Sequence, residues 1–189
     1  MKIMKTVLTI LVCLMGTLSI NAQNIIEPEE GYTPQIGILV SMLNDMKNRV
    51  EYTVKDLDIE STDFILDENA NSIGTLVYHL AATEKFYQLY TFEKREFNKE
   101  ETKEWSIPMT MGDDAREKFR GKPISYYLDI YTKTREKTLE YLKEKDDAWL
   151  ASTPKGYRMN NHWSWYHVME HQSSHLGQIL LIKKRIPEK

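Results

Sequence analysis

Between Trp165 and Gln178 three histidines, His167, His171 and His175, recur every four residues within a stretch whose apolar residues also keep a helical period. Four residues advance an α-helix by about 400°, so each imidazole lies roughly one turn along and about 40° around from the last. Neighbouring rings on such a helix can converge on one ion. A helix-borne pair supplies half a site, and a catalytic zinc-type ion takes three protein ligands and keeps a position open. The third ligand must come from elsewhere in the chain. His79, in Gly74-Thr75-Leu76-Val77-Tyr78-His79-Leu80, is the candidate, and His162 reads as an ordinary surface histidine.

The rest of the chain sorts into helices. Thr33 can cap and Pro34 can take the first position of helix one, where Ile36, Leu39, Val40, Leu43, Met46 and Val50 mark one face to near Lys55. Asn71 or Ser72 caps helix two, whose stripe of Ile73, Leu76, Leu80, Thr83 and Tyr87 runs on toward Glu96. His79 falls about 60° from Leu76, inside this apolar face. Residues 98 to 122 read as a long polar connection, with a short helix within Asp113 to Phe119 and Trp105 as its anchor. Pro123 opens helix three, with Ile124, Tyr127, Leu128, Tyr131, Thr138, Leu139 and Leu142 inward. Asn160 or Asn161 starts helix four, which continues to about Arg185. On its wheel His175 lies about 60° from the centre of the apolar arc, His171 about 100° and His167 about 140°. His171 and His175 are therefore the inward pair, and His167 belongs at the rim. No strand-like alternation competes, so the expected fold is all-α, a four-helix bundle with a long crossover between helices two and three.

Lys2 and Lys5 precede an apolar run from Thr6 to Ile20, and Ala22 closes it in Asn21-Ala22-Gln23. This reads as a signal peptide over residues 1–22, with the bundle domain at 23–189 and a periplasmic or secreted location. The run is about fifteen residues, short of the ~20 that span a bilayer, so no membrane association is expected after cleavage. The single cysteine, Cys13, follows Val12 rather than a small residue and would leave with the peptide. The exported domain would then hold together without disulfides. Formal charge is −3 at pH 7, and more negative without Lys2 and Lys5. On that balance nucleic acid is not an expected partner.

Two segments bear a resemblance to a known family. Asn71-Ser72-Ile73-Gly74-Thr75-Leu76-Val77-Tyr78-His79-Leu80-Ala81 resembles the second-helix signature of the DinB/YfiT-like superfamily of bacterial metal-binding bundles. His167-Val168-Met169-Glu170-His171-Gln172-Ser173-Ser174-His175-Leu176-Gly177-Gln178-Ile179 resembles its last-helix signature. The resemblance implies a divalent metal held by His79, His171 and His175, and it allows a homodimer; zinc or nickel is the expected ion, although imidazole also accepts copper and iron. It also implies metal-dependent transferases and isomerases that use low-molecular-weight thiols, since a cation lowers the pKa of a thiol or water.

The function expected is therefore that of a metal-dependent hydrolase or thiol S-transferase acting on a small-molecule substrate the sequence does not name. The alternative is a non-catalytic metal- or small-molecule-binding protein of the cell envelope, and a third reading is a bundle without metal. Glu84 and Glu170 are available as a base or as partners of the ligands, although each reads first as a helix-surface carboxylate. Gln178 is placed to orient His175, and Gly177 reads as a point of close helix packing.

Overall fold

The computed structural model describes residues 25–187, and the signal peptide read at residues 1–22, with Cys13, lies outside them. Among the described residues there are eight α-helices and no strands. Four long helices form the bundle: α1 (Pro34–Val54), α3 (Ile73–Gln88), α6 (Ile124–Lys143) and α8 (Asn161–Lys183). Four shorter ones connect or brace them: α2 (Ile59–Asp63), α4 (Lys99–Thr110), α5 (Asp113–Lys118) and α7 (Asp147–Ala151). Helix α3 packs between α6 and α8, while α1 packs against α8 and α6. No helix among the described residues is long and apolar enough to cross a membrane.

The caps fix where the helices begin. Ser72 Oγ accepts from Thr75 N–H at 3.2 Å to start α3, and Asn160 Oδ1 accepts from Trp163 N–H at 2.8 Å to start α8. Helix α1 departs from expectation, because the Thr33 side chain caps nothing in its own helix. Its hydroxyl donates to the Asp147 carboxylate, whose Oδ1 also accepts from Gln35 N–H at 3.0 Å and Ile36 N–H at 3.3 Å. The open N–H groups of α1 are thus closed from α7, a residue more than a hundred positions away in sequence. At Gly74 an added Cβ would lie 2.6 Å from the Tyr127 ring, so the second residue of α3 has room only for hydrogen.

The polar stretch after residue 98 is more ordered than its composition implies. Helix α4 is closed by a capping box in which Asn98 Oδ1 accepts from Glu100 and Glu101 N–H at 2.9 Å each. Glu101 Oε2 in turn accepts from Asn98 N–H at 3.0 Å. Trp105 and Pro108 are the residues α4 buries, so no apolar stripe announces the helix. Trp105 does anchor it, edge-on to Tyr78 at 5.8 Å. Helix α3 also ends differently from a plain helix: its last turn widens to a π-turn over Leu89–Glu93 and stops at Lys94 in the left-handed region.

The core has two apolar halves separated by a polar layer. One half gathers Val50, Ile73, Val77, Tyr127, Tyr131 and Ile179, and the other Ile36, Leu43, Tyr87, Leu142, Trp165 and Val168. Between them, Arg135 donates from Nε and Nη2 to the two oxygens of Glu84 at 2.8 Å each. Thr138 Oγ1 donates to Glu84 Oε1 at 2.6 Å, Gln172 Nε2 to Oε2 at 3.1 Å, and Arg135 Nη1 to the Leu43 carbonyl. Glu84 is 0 % and Arg135 1 % exposed. A charge pair this deep persists because the fork is bidentate and every carboxylate oxygen is met, satisfying groups that would otherwise be costly to bury.

Candidate metal centre

His79 sits on α3 five residues before Glu84, and His171 on α8 immediately before Gln172, so both histidines lie at the edge of the polar layer. His171 Nε2 is 3.3 Å from His79 Nε2 and 3.1 Å from His175 Nε2, and the ligand nitrogens of all three lie within 4.8 Å of one another. The three residues that the helical wheels selected are thereby brought to one point. His167 is not part of this group; it is stacked on Trp163 at 5.1 Å, and its Nδ1 is 3.2 Å from Glu170 Oε2, at the rim.

The other ring nitrogens set the tautomers. His79 Nδ1 is 2.9 Å from the Pro108 carbonyl, and His175 Nδ1 is 2.9 Å from Gln178 Oε1. Both partners are acceptors, so both Nδ1 atoms carry the proton and both Nε2 atoms present lone pairs. His171 has at most one N–H to offer when neutral, and it cannot satisfy two facing lone pairs with its Nε2. Its own Nδ1 is buried with no hydrogen-bond partner. With its proton on Nε2, His171 meets only one of the two facing lone pairs, and with it on Nδ1 three lone pairs converge; either way the group is mismatched without a cation and fits one between the nitrogens. A tetrahedral ion with nitrogen ligands at about 2.0–2.1 Å separates adjacent nitrogens by roughly 3.3 Å, close to the 3.3 and 3.1 Å that part His171 from the other two.

Electrostatics point the same way. Burial pushes the His171 imidazole down to about 3, aided by the neighbouring His175, His79 and His167 rings. Burial also lowers His79, against the opposing bond to Pro108, and lowers His175, against the opposing bond to Gln178. The three rings are thus held neutral, the form in which imidazole ligates metal.

The Pro108 carbonyl is free to hold His79 because of how α4 ends. In a continuing helix that carbonyl would accept from Gly112 N–H, but Gly112 N–H turns away to Asn71 Oδ1 at 3.2 Å. The turn is made at Met111, which takes a φ of 56° and ψ of −144°. This support for His79 has no side-chain signature and was not readable from the sequence.

Several expectations change at this site. Glu84 is not a surface carboxylate; it is consumed in the buried pair with Arg135 and has no proton-accepting capacity free for the histidines. Glu170 is on the surface and pairs with His167. Gly177 does not mediate close packing, since nothing lies within 4 Å of the position a Cβ would take. Gln178 holds His175, as its position one turn on suggested. Among the described residues no carboxylate or cysteine joins the group, so three neutral nitrogens form the whole candidate ligand set.

This fold and this three-histidine group define a DinB/YfiT-like helical protein able to hold a metal ion. The chain belongs to the mycothiol-S-transferase family, whose model matches residues 38–187. Among solved structures it is similar to the colibactin self-resistance protein ClbS in complex with a dsDNA, at 10 % identity and a TM-score of 0.60, over 79 % of this chain and 95 % of that one. No curated protein matches the chain. The ClbS complex corrects one expectation: net acidity led to nucleic acid being set aside as a partner, yet a protein of this fold is solved with double-stranded DNA. Net charge averages over a whole surface, whereas phosphate contacts are made by one face, so overall charge was insufficient ground for that exclusion.

Proposed function

We propose that this chain is an exported, metal-dependent thiol S-transferase whose zinc or nickel ion is held by His79, His171 and His175. The observation that carries the reading is the convergence of three Nε2 atoms, with the His79 and His175 protons drawn to the opposite ring nitrogen by Pro108 and Gln178. What a divalent cation supplies in such a place is a thiol kept as its thiolate at neutral pH. The chain's own residues do the rest: the Pro108 carbonyl and Gln178 hold two imidazoles in ligating orientation. His171 is half-buried and His79 and His175 are buried, so His171 is the member nearest solvent. A set of three protein ligands, one short of a closed tetrahedral shell, favours turnover over a purely structural site. Membership of the mycothiol-S-transferase family supports a low-molecular-weight thiol as co-substrate.

Elemental analysis of protein purified without a histidine tag, alongside His79→Ala and His175→Ala, tests the site. About one equivalent of zinc or nickel in the parent and little in either variant is expected. Monochlorobimane fluorescence then reads conjugation of mycothiol by the loaded parent. Metal without conjugation of any thiol and electrophile pair would leave the non-catalytic binding protein, and no metal after reconstitution would overturn the site. Export rests on Lys2, Lys5 and the apolar run ending at Ala22. N-terminal sequencing of protein from the cell envelope is expected to begin at Gln23, and a start at Met1 would remove that part of the proposal.

A further inference from the structure

About two helical turns along α3 from His79 lies a concavity that none of the three histidines lines. It measures about 340 Å³ and is lined by Phe86, Tyr90, Phe97 and Tyr157, with Arg95 and Glu96 at its edge. Phe86 follows His79 by seven residues on α3, which brings it back to within about 20° of the same side, roughly 10 Å further along the helix. Ring contacts lead from one place to the other: His171 to His167 at 5.5 Å, His167 to Tyr87 at 5.8 Å, Tyr87 to Tyr90 at 6.0 Å, and Tyr90 to Tyr157 at 4.1 Å. Phe86, Phe97 and Tyr157 are only half-buried, so parts of three rings face the cleft rather than the core.

The charge at its edge is already spent. Arg95 donates from Nε to Glu93 at 2.7 Å and from Nη2 to Glu101 at 2.9 Å, and Glu101 is held well below the usual carboxylate range by that guanidinium. Thr102 Oγ1 donates to the Asn98 carbonyl at 2.7 Å. An anionic ligand would therefore have to compete with two carboxylates for the one guanidinium, while a flat apolar ligand meets ring faces and edges at once.

We propose that this cleft is the subsite for an uncharged aromatic or flat apolar group on the acceptor substrate, within reach of the three histidines. The proposal deepens the S-transferase reading and rests on it for the role of those histidines. It makes Phe97 and Tyr157 determinants of which acceptor is taken, because both rings come from outside the bundle helices and are only partly buried against the core.

Two hydroxamic acids of equal chain length test it on the zinc-loaded protein by titration calorimetry: hexanohydroxamic acid and 6-phenylhexanohydroxamic acid, whose tail spans the distance to the cleft. The phenyl group is expected to tighten binding by roughly tenfold or more, as burial of a ring should. In Phe97→Ala and Tyr157→Ala that gain is expected to shrink to about threefold or less, with hexanohydroxamate binding unchanged. Equal affinity for the two compounds, or a gain that survives both substitutions, overturns the subsite. Absence of heat with both compounds counts against the metal site instead. The cleft is then read without metal, by saturation-transfer NMR with 6-phenylhexan-1-ol. Transfer to the ring protons in the parent but not in the doubly substituted protein supports the subsite, and no transfer in the parent overturns it.

Discussion

Gln172 Nε2 donates to Glu84 Oε2 at 3.1 Å and so ties the residue after His171 to the carboxylate five positions beyond His79. The two helices that carry the candidate ligands are thereby joined in register at the level of the site. The buried ion pair with Arg135 acts as the fixed point of that joint.

Removing one partner of the pair leaves an unmatched buried charge. Arg135→Met is expected to lower unfolding free energy by about 3–5 kcal/mol in urea titrations, and the double variant Glu84→Leu/Arg135→Met to recover most of that loss. A double variant no more stable than the single one would show that the layer contributes more than charge balance.

Gln178 holds His175 from an exposed position, so its loss acts on the ligand more than on the fold. Gln178→Ala should weaken metal binding by about 10- to 100-fold in competition with a chromophoric chelator. Thermal unfolding of the metal-free protein should hardly move.

Acidity should weaken the metal-free protein through its histidines. His171 is pushed down to about 3 in the folded state, and His79 and His175 are lowered as well, from an ordinary value of 6.5. Between these limits the unfolded chain binds more protons than the folded one, so stability rises with pH across that window. The stability is fully present above about 6.5 and is lost progressively as pH falls toward 3. Melting temperatures of the metal-free protein at pH 7.5 and pH 5.5 measure it, and substitution of His171 by Gln is expected to flatten the slope.

Two helical glycines should respond with opposite signs. Gly74→Ala forces a methyl into the Tyr127 ring and is expected to cost about 1–3 kcal/mol. Gly177→Ala adds a methyl in open space on the exposed face of α8 and is expected to stabilise by about 0.5–1 kcal/mol. Denaturant titrations of both variants read the difference.

The four bundle helices and the clustering of His79, His171 and His175 were legible because apolar period and histidine spacing are local signals carried by single helices. Helix α4 was missed although Asn98 and Glu101 stand at capping-box spacing; with Trp105 and Pro108 as its buried residues, it has no stripe to reveal it. The short helices α2 and α7 were missed because 5 residues are too few to show a helical period. The Glu84, Arg135 and Gln172 layer was hidden because its members lie on three helices and each alone reads as a surface residue. The cap that Asp147 gives α1 joins segments that only the folded chain brings together.

The support under His79 is a main-chain oxygen, and it exists because Met111 bends the backbone where α4 stops. Such an anchor is written in the length of a connecting segment rather than in any side chain. A single residue inserted between 99 and 111 would shift that carbonyl and misdirect His79 while leaving each histidine in place. The orientation of His79 can therefore be lost by a change of segment length alone, with no substitution at the three histidines to mark the event.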